Sequence, residues 1–163
     1  MQCTEILMKE HETILARVSQ LEQTLESKVS ENIEAIDKTI EFIQKYADEF
    51  HHAKEEDIYF KWMIDKNPMF EGGPIHCMLD EHNKGRSFIK TAVAEMDKIK
   101  SDPTHSEEQV KESLTNFIDL IRAHIDKENN VLYQMAEQVN ADVGDGDEIM
   151  LPKFQSINEP TLT

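Results

Sequence analysis

His51-His52-Ala53-Lys54-Glu55-Glu56 holds one His-x-x-x-Glu motif, and His124-Ile125-Asp126-Lys127-Glu128 holds a second. Both lie in stretches built from strong helix formers. An α-helix turns about every 3.6 residues, so positions i and i+4 share a face. Each motif therefore aims one imidazole and one carboxylate at the same point. Two more histidines, His11 and His82, stand in other helical stretches, each directly after an acid, Glu10 and Glu81. Four helices, four histidines and two carboxylates predict a pair of metal ions held inside a bundle.

Working outward from these motifs, apolar residues recur at spacings of three and four, the primary helix signal. The first seam is Leu7, Ile14, Val18, Leu21 and Leu25, with His11 on it. The second runs Ile33, Ile36, Ile40, Ile43, Ala47, His51, Glu55, Ile58 and Trp62. The third is Ile75, Met78, His82, Ile89, Ala92, Met96 and Ile99, and the fourth Leu114, Phe117, Ile121, His124, Glu128, Val131 and Met135. Helices are expected over 4–27, 31–65, 75–100 and 105–139. The breaks are Ser27 to Ser30, Asn67-Pro68 with Gly72-Gly73-Pro74, and Ser101 to Thr104. Pro74 suits a first helical turn. Short connections between long helices predict an all-α, up-down-up-down antiparallel four-helix bundle over 1–139. Residues 140–163 read as an acidic, turn-rich C-terminal tail in which Met150 to Phe154 can dock on the bundle. Asp142-Val143-Gly144-Asp145-Gly146-Asp147 lacks the glutamate that a calcium loop needs at its twelfth position.

The 163 residues suffice for one domain with a real core. A net charge of −16 argues against nucleic acid and anionic membrane surfaces as partners. Cys3 and Cys77 form no Cys-x-x-Cys, no apolar run reaches membrane-spanning length, and the first residues lack a signal-peptide layout. The expectation is a cytoplasmic protein.

A carboxylate buried without a partner costs several kcal/mol, roughly. Two of them on apolar seams beside four histidines call for a shared cation. The candidate ligands are His11, His51, Glu55, His82, His124 and Glu128. His52, His76 and His105 fall off the seams and read as surface residues or as residues behind the ligands, and Glu56 points away from Glu55. The methionines read as core filler rather than a copper site. Zinc prefers four ligands in a closed tetrahedron, which suits six shared ligands less well. A metal-free bundle would leave the seam carboxylates without partners.

His11, His51-x-x-x-Glu55, Glu81-His82 and His124-x-x-x-Glu128 together resemble the hemerythrin-like, or HHE cation-binding, domain. The flanking strings Glu56-Asp57-Ile58-Tyr59-Phe60, Gly73-Pro74-Ile75 and Asn129-Asn130-Val131-Leu132-Tyr133 extend the resemblance over about residues 4 to 139. It implies two non-haem iron ions bridged by Glu55, Glu128 and an oxo or hydroxo ligand, with two histidines per iron. Oxygen-carrying hemerythrins add a fifth histidine where this chain has Met78, and end on an Asp five residues after its histidine where this chain has Glu128 at four. The four-His/two-Glu set is similar instead to bacterial di-iron proteins linked to nitric oxide stress and repair of iron centres. Those usually carry an additional N-terminal segment with a cysteine pair.

Two function classes follow. One is a redox-active di-iron protein that binds or reduces oxygen, nitric oxide or peroxide in a pocket beside Met78, with an electron donor the sequence does not identify. The other is an oxygen- or iron-sensing or storage module without turnover. Tyr59 and Tyr133 lie near the seams, as ordinary bundle aromatics or as hydrogen-bond donors to a bound ligand. No nucleophile or acid–base pair stands apart from the ligand set, which disfavours a hydrolase.

Overall fold

The computed structural model describes residues 1–162; residue 163, the last of the expected tail, lies outside them. The described chain is helical. α1 is Gln2–Leu25, α2 spans 33–66, α3 is Pro74–Ser101, α4 spans 108–143 and α5 is Gly146–Ser156. The first four match the expected segments to within a few residues. Pro74 opens α3, and Gly144, the one described glycine at positive φ (72°), ends α4 in the left-handed conformation.

Contacts between successive long helices run in opposite chain order. From α1 to α2, Arg17 lies over Phe42, Glu10 meets His51, and Thr4 meets Tyr59. From α2 to α3 the pairs are Asp37–Lys100, Asp48–Arg86 and Glu56–His82. Glu81 of α3 meets His124 and Lys127 of α4, while Gly85 lies against Phe117. α4 returns to α1 through Arg122–Glu22, Asn129–His11 and Glu137 with the Met1 ammonium.

α5 is a correction. The sequence predicts a turn-rich tail over 140–163, but Gly146–Ser156 form a fifth helix. Its buried face is Gly146, Met150 and Phe154, so the docking of Met150 and Phe154 holds. A single i, i+4, i+8 row with Pro152 inside it is too short a pattern to register as periodicity. Two of the three acids of the expected turn, Asp145 and Asp147, act as clamps. Asp147 accepts hydrogen bonds from the Gln2 and Cys3 N–H groups (2.8 and 2.9 Å), capping α1 from outside. Asp145 accepts from Trp62 Nε1 (3.1 Å) and from Lys66.

The apolar core is split in two. One cluster gathers Ile14, Val18, Ile40, Ile43, Ile89, Met96, Leu114 and Ile121. The other gathers Leu7, Tyr59, Met63, Ile75, Leu132, Tyr133, Met150 and Phe154. The histidines and glutamates of the seams lie between them along each helix.

α2 and α4 are not α-helical throughout. π-helical turns occupy Ile43–His52 and Glu55–Tyr59 in α2, and Glu128–Leu132 in α4. The Phe60 N–H bonds the Glu55 carbonyl and the Tyr133 N–H bonds the Glu128 carbonyl, each five residues back. Such a turn holds one extra residue and rotates everything after it. The expected seam therefore slips by one beyond each glutamate. Val131 is 47% exposed, while Leu132, Tyr133 and Ala136 are buried. In α2, Tyr59 and Met63 reach 0% exposure, deeper than Ile58 and Trp62.

Candidate metal centre

All six sequence-predicted ligands are buried, at 0–2% exposure, in the layer between the two apolar clusters. The structure brings them together in two groups, each with its ligand atoms within 4.8 Å of one another: His11, His51, Glu55 and Glu128; and His52, Glu55, His82 and His124. Glu55 belongs to both. Its Oε2 faces His51 Nε2 at 3.6 Å and His82 Nε2 at 3.5 Å. Glu128 divides its oxygens, Oε2 lying 3.2 Å from His11 Nε2 and Oε1 3.1 Å from His124 Nε2.

His52 is the residue that seam counting missed. It is buried, not on the surface, and its ring stacks on His82 with centroids 3.8 Å apart. The signal was present: His52 precedes Glu55 by three, a spacing that also shares a helix face. His76 is exposed beside Asp80, and His105 pairs with Glu95 away from the centre. Tyr133, brought inward by the π turn at Glu128, donates a hydrogen bond to Glu55 Oε1 (2.5 Å), while Tyr59 is spent on Thr4 (2.9 Å). Met78 is packed in the second apolar cluster. The cavity on which the site opens, about 260 Å³, lies elsewhere, between α2, α3 and α4, and reaches His52, His82 and His124.

Four of the five imidazoles are each held from behind by a residue of a neighbouring helix. Glu10 takes His51 Nδ1 (2.9 Å), Glu56 takes His82 Nδ1 (2.7 Å), Glu81 takes His124 Nδ1 (2.9 Å), and Asn129 takes His11 Nδ1 (2.8 Å). Every one of these four sits beside a ligand in sequence: Glu10 beside His11, Glu56 beside Glu55, Glu81 beside His82, Asn129 beside Glu128. The residue next to a ligand on one helix thus orients the histidine of the next, and the series closes around the bundle. His52 Nδ1 is held within α2 by Asp48 (3.2 Å). The carboxylates carry cations in turn: Lys54 on Glu10, Arg86 on Glu56 and Asp48, Lys127 on Glu81. Carboxylate and amide oxygens behind Nδ1 favour a proton on that nitrogen, and a neutral ring so held would turn the Nε2 lone pair inward, the tautomer a metal requires.

Charge is unevenly divided in this layer: burial opposes charge on His124, but Glu128 and Glu81 outweigh it and raise its pKa above the ordinary value. Burial, then the neighbouring Glu128, push Glu55 well above the usual carboxylate range. Burial also opposes charge on Glu128, but His124 and His11 outweigh it and hold Glu128 well below that range. Burial, then the other imidazoles, keep His51 well below its ordinary value, and burial with His82 brings His52 to about 3. Burial and the two glutamates push the Tyr133 phenol well up, so it keeps its proton.

Four buried atoms in this layer have no hydrogen-bond partner: His51 Nε2, Glu55 Oε2 and both oxygens of Glu128. Native proteins rarely leave such groups unsatisfied. All four point into the shared space. Nitrogen and carboxylate ligands lie about 2.0–2.2 Å from a cation, so two of them on one cation sit about 3–3.5 Å apart, close to the separations above. The donor set therefore fits metal cations. No described helix is long and apolar enough to cross a membrane.

The hemerythrin HHE cation-binding domain family matches residues 3–136 of this chain, which belongs to that family. No curated protein and no solved structure matches it.

Proposed function

We propose that this hemerythrin HHE domain is a non-haem di-iron protein, built on an up-down-up-down four-helix framework, that binds or reduces oxygen, nitric oxide or a peroxide in the cytoplasm. The single observation behind it is the pair of ligand groups that share Glu55, with Glu128 offering one oxygen to each. Imidazole and carboxylate donors together suit iron. His11 and His51 would hold one ion, and His52, His82 and His124 the other, with Glu55 and Glu128 between them. The ions would supply the electrons and the open positions for the small ligand.

The chain's own residues do the rest. The backing ring of Glu10, Glu56, Glu81 and Asn129 fixes each imidazole and makes the carboxylate-backed ones stronger donors. Tyr133 holds Glu55 Oε1, leaving Oε2 to face the histidines. The apolar clusters above and below exclude water.

The test is metal content followed by optical titration. Protein loaded anaerobically with ferrous iron should bind two ions per chain. Oxygen, nitric oxide or hydrogen peroxide should then convert it to a stable oxidised spectrum. Two irons with a spectrum that reverses when the gas is removed would instead favour a sensing or storage module. Failure to bind iron in a two-to-one ratio overturns the di-iron reading.

A further inference from the structure

The two ligand groups differ in what covers them. Over His11 and His51 the space is closed: the Tyr133 ring lies nearly parallel to His11 (3° between planes) and its hydroxyl is spent on Glu55. Over His52, His82 and His124 lies the cavity of about 260 Å³. Apolar side chains supply much of its lining, Ile43, Ala47, Ile89, Val93, Phe117 and Ile121 among them, and Gln44, Arg86 and the three histidines are among its polar residues. Asp48 and Glu81, also on the wall, are already taken by Arg86 and Lys127. Lys90 stands exposed on the wall.

A diatomic gas needs little more room than one water, whose share of liquid is about 30 Å³, and an apolar cavity of about 150 Å³ already takes up benzene. This cavity is larger than both. A cavity of this size with so much apolar lining has room for an organic ligand as well as for a gas.

We propose that the cavity between α2, α3 and α4 seats a compact organic carboxylate, its apolar body against the Ile43–Phe117 walls and its oxygen head at the His52/His82/His124 position. The head group rests on the di-iron reading above; the seat for the body rests on the cavity alone. The closed His11/His51 position takes no such ligand.

The experiment measures metal content first, then titrates acetate, butanoate, hexanoate and octanoate into metal-loaded and metal-free protein by calorimetry, with methyl NMR of the zinc-loaded form. Each added methylene should raise affinity about fourfold until the cavity fills, from about 0.8 kcal/mol per buried CH₂. The methyls of Ile43, Ile89 and Val93 should shift. Leu120→Trp and Val93→Phe, both at half-buried wall positions, should abolish the chain-length dependence while leaving acetate affinity and metal content unchanged. A chain-length dependence in protein that fails to take up metal when loaded would keep the seat and overturn the metal reading. Affinity that stays flat from acetate to octanoate in fully metal-loaded protein, or a dependence that survives both filled-cavity variants, overturns the seat and leaves the metal reading standing.

Discussion

The two halves of the histidine layer are built from the same kinds of residue and are not equivalent. At the His11/His51 half, Tyr133 covers the ligands, a neutral amide (Asn129) backs one imidazole, and α5 packs outside against α1 and the Glu55–Tyr59 turn. At the other half, three imidazoles converge, every backing group is a carboxylate paired with a cation, and the cavity opens from them. On the proposed function, the closed half would anchor and the open half would admit an outside ligand. Pseudo-symmetric ligation and asymmetric access are separate properties, fixed by different residues.

The largest effect should come from a residue whose two oxygens face the two halves, one each. Glu128→Ala removes an oxygen from each half and should reduce bound metal from two ions per chain to less than one, read by elemental analysis. Single-side changes then break the comparison. His11→Ala should lose one ion and keep azide binding at the open half, whereas His124→Ala should lose one ion and azide binding together, read by metal content and azide absorption. Backing residues come next: Glu81→Ala should weaken metal binding about 10- to 100-fold, as such partners commonly do, and Asn129→Ala, which removes only an amide, should weaken it less. Competition with a chelator measures both. Tyr133→Phe should lower the stability of the metal-free protein by about 1–3 kcal/mol, because Glu55 Oε1 loses its buried donor; denaturant unfolding checks this.

The smallest effect concerns α5. Burial opposes charge on Asp147, but the Cys3 and Gln2 N–H groups outweigh it, so its folded pKa lies below the ordinary 3.8. Its contribution is therefore fully present above about pH 4 and declines as pH falls through the folded value. Asp147→Asn should be less stable than the parent near neutral pH, with the difference shrinking in acid, measured by thermal unfolding across pH 2–7.

Much of this was legible in the sequence, for stated reasons. The four long helices follow from seams at three- and four-residue spacing, and all six ligands fall on those seams, in α2 even across the π-helical stretch Ile43–His52. Beyond Glu55 and Glu128 the seam slips, since a π turn is a choice of backbone hydrogen bonds that side-chain periodicity does not encode. Hence Val131 was expected inside and Tyr133 was not fixed at the site. His52 was legible through its three-residue spacing to Glu55, but the stronger four-residue match of His51 masked it. The acids beside His11 and His82 were visible in the sequence, yet their partners lie on the next helix, and only packing reveals them. The cavity depends on how three helices meet, and α5 on a single apolar row, so neither could be read from one segment.

The most direct test of unequal halves is a crystal structure of the iron-loaded protein soaked in azide, with anomalous data collected at the iron edge. The account predicts two iron peaks between Glu55 and Glu128, with azide only on the ion held by His52, His82 and His124. A single peak, or azide on the ion held by His11 and His51, would contradict it.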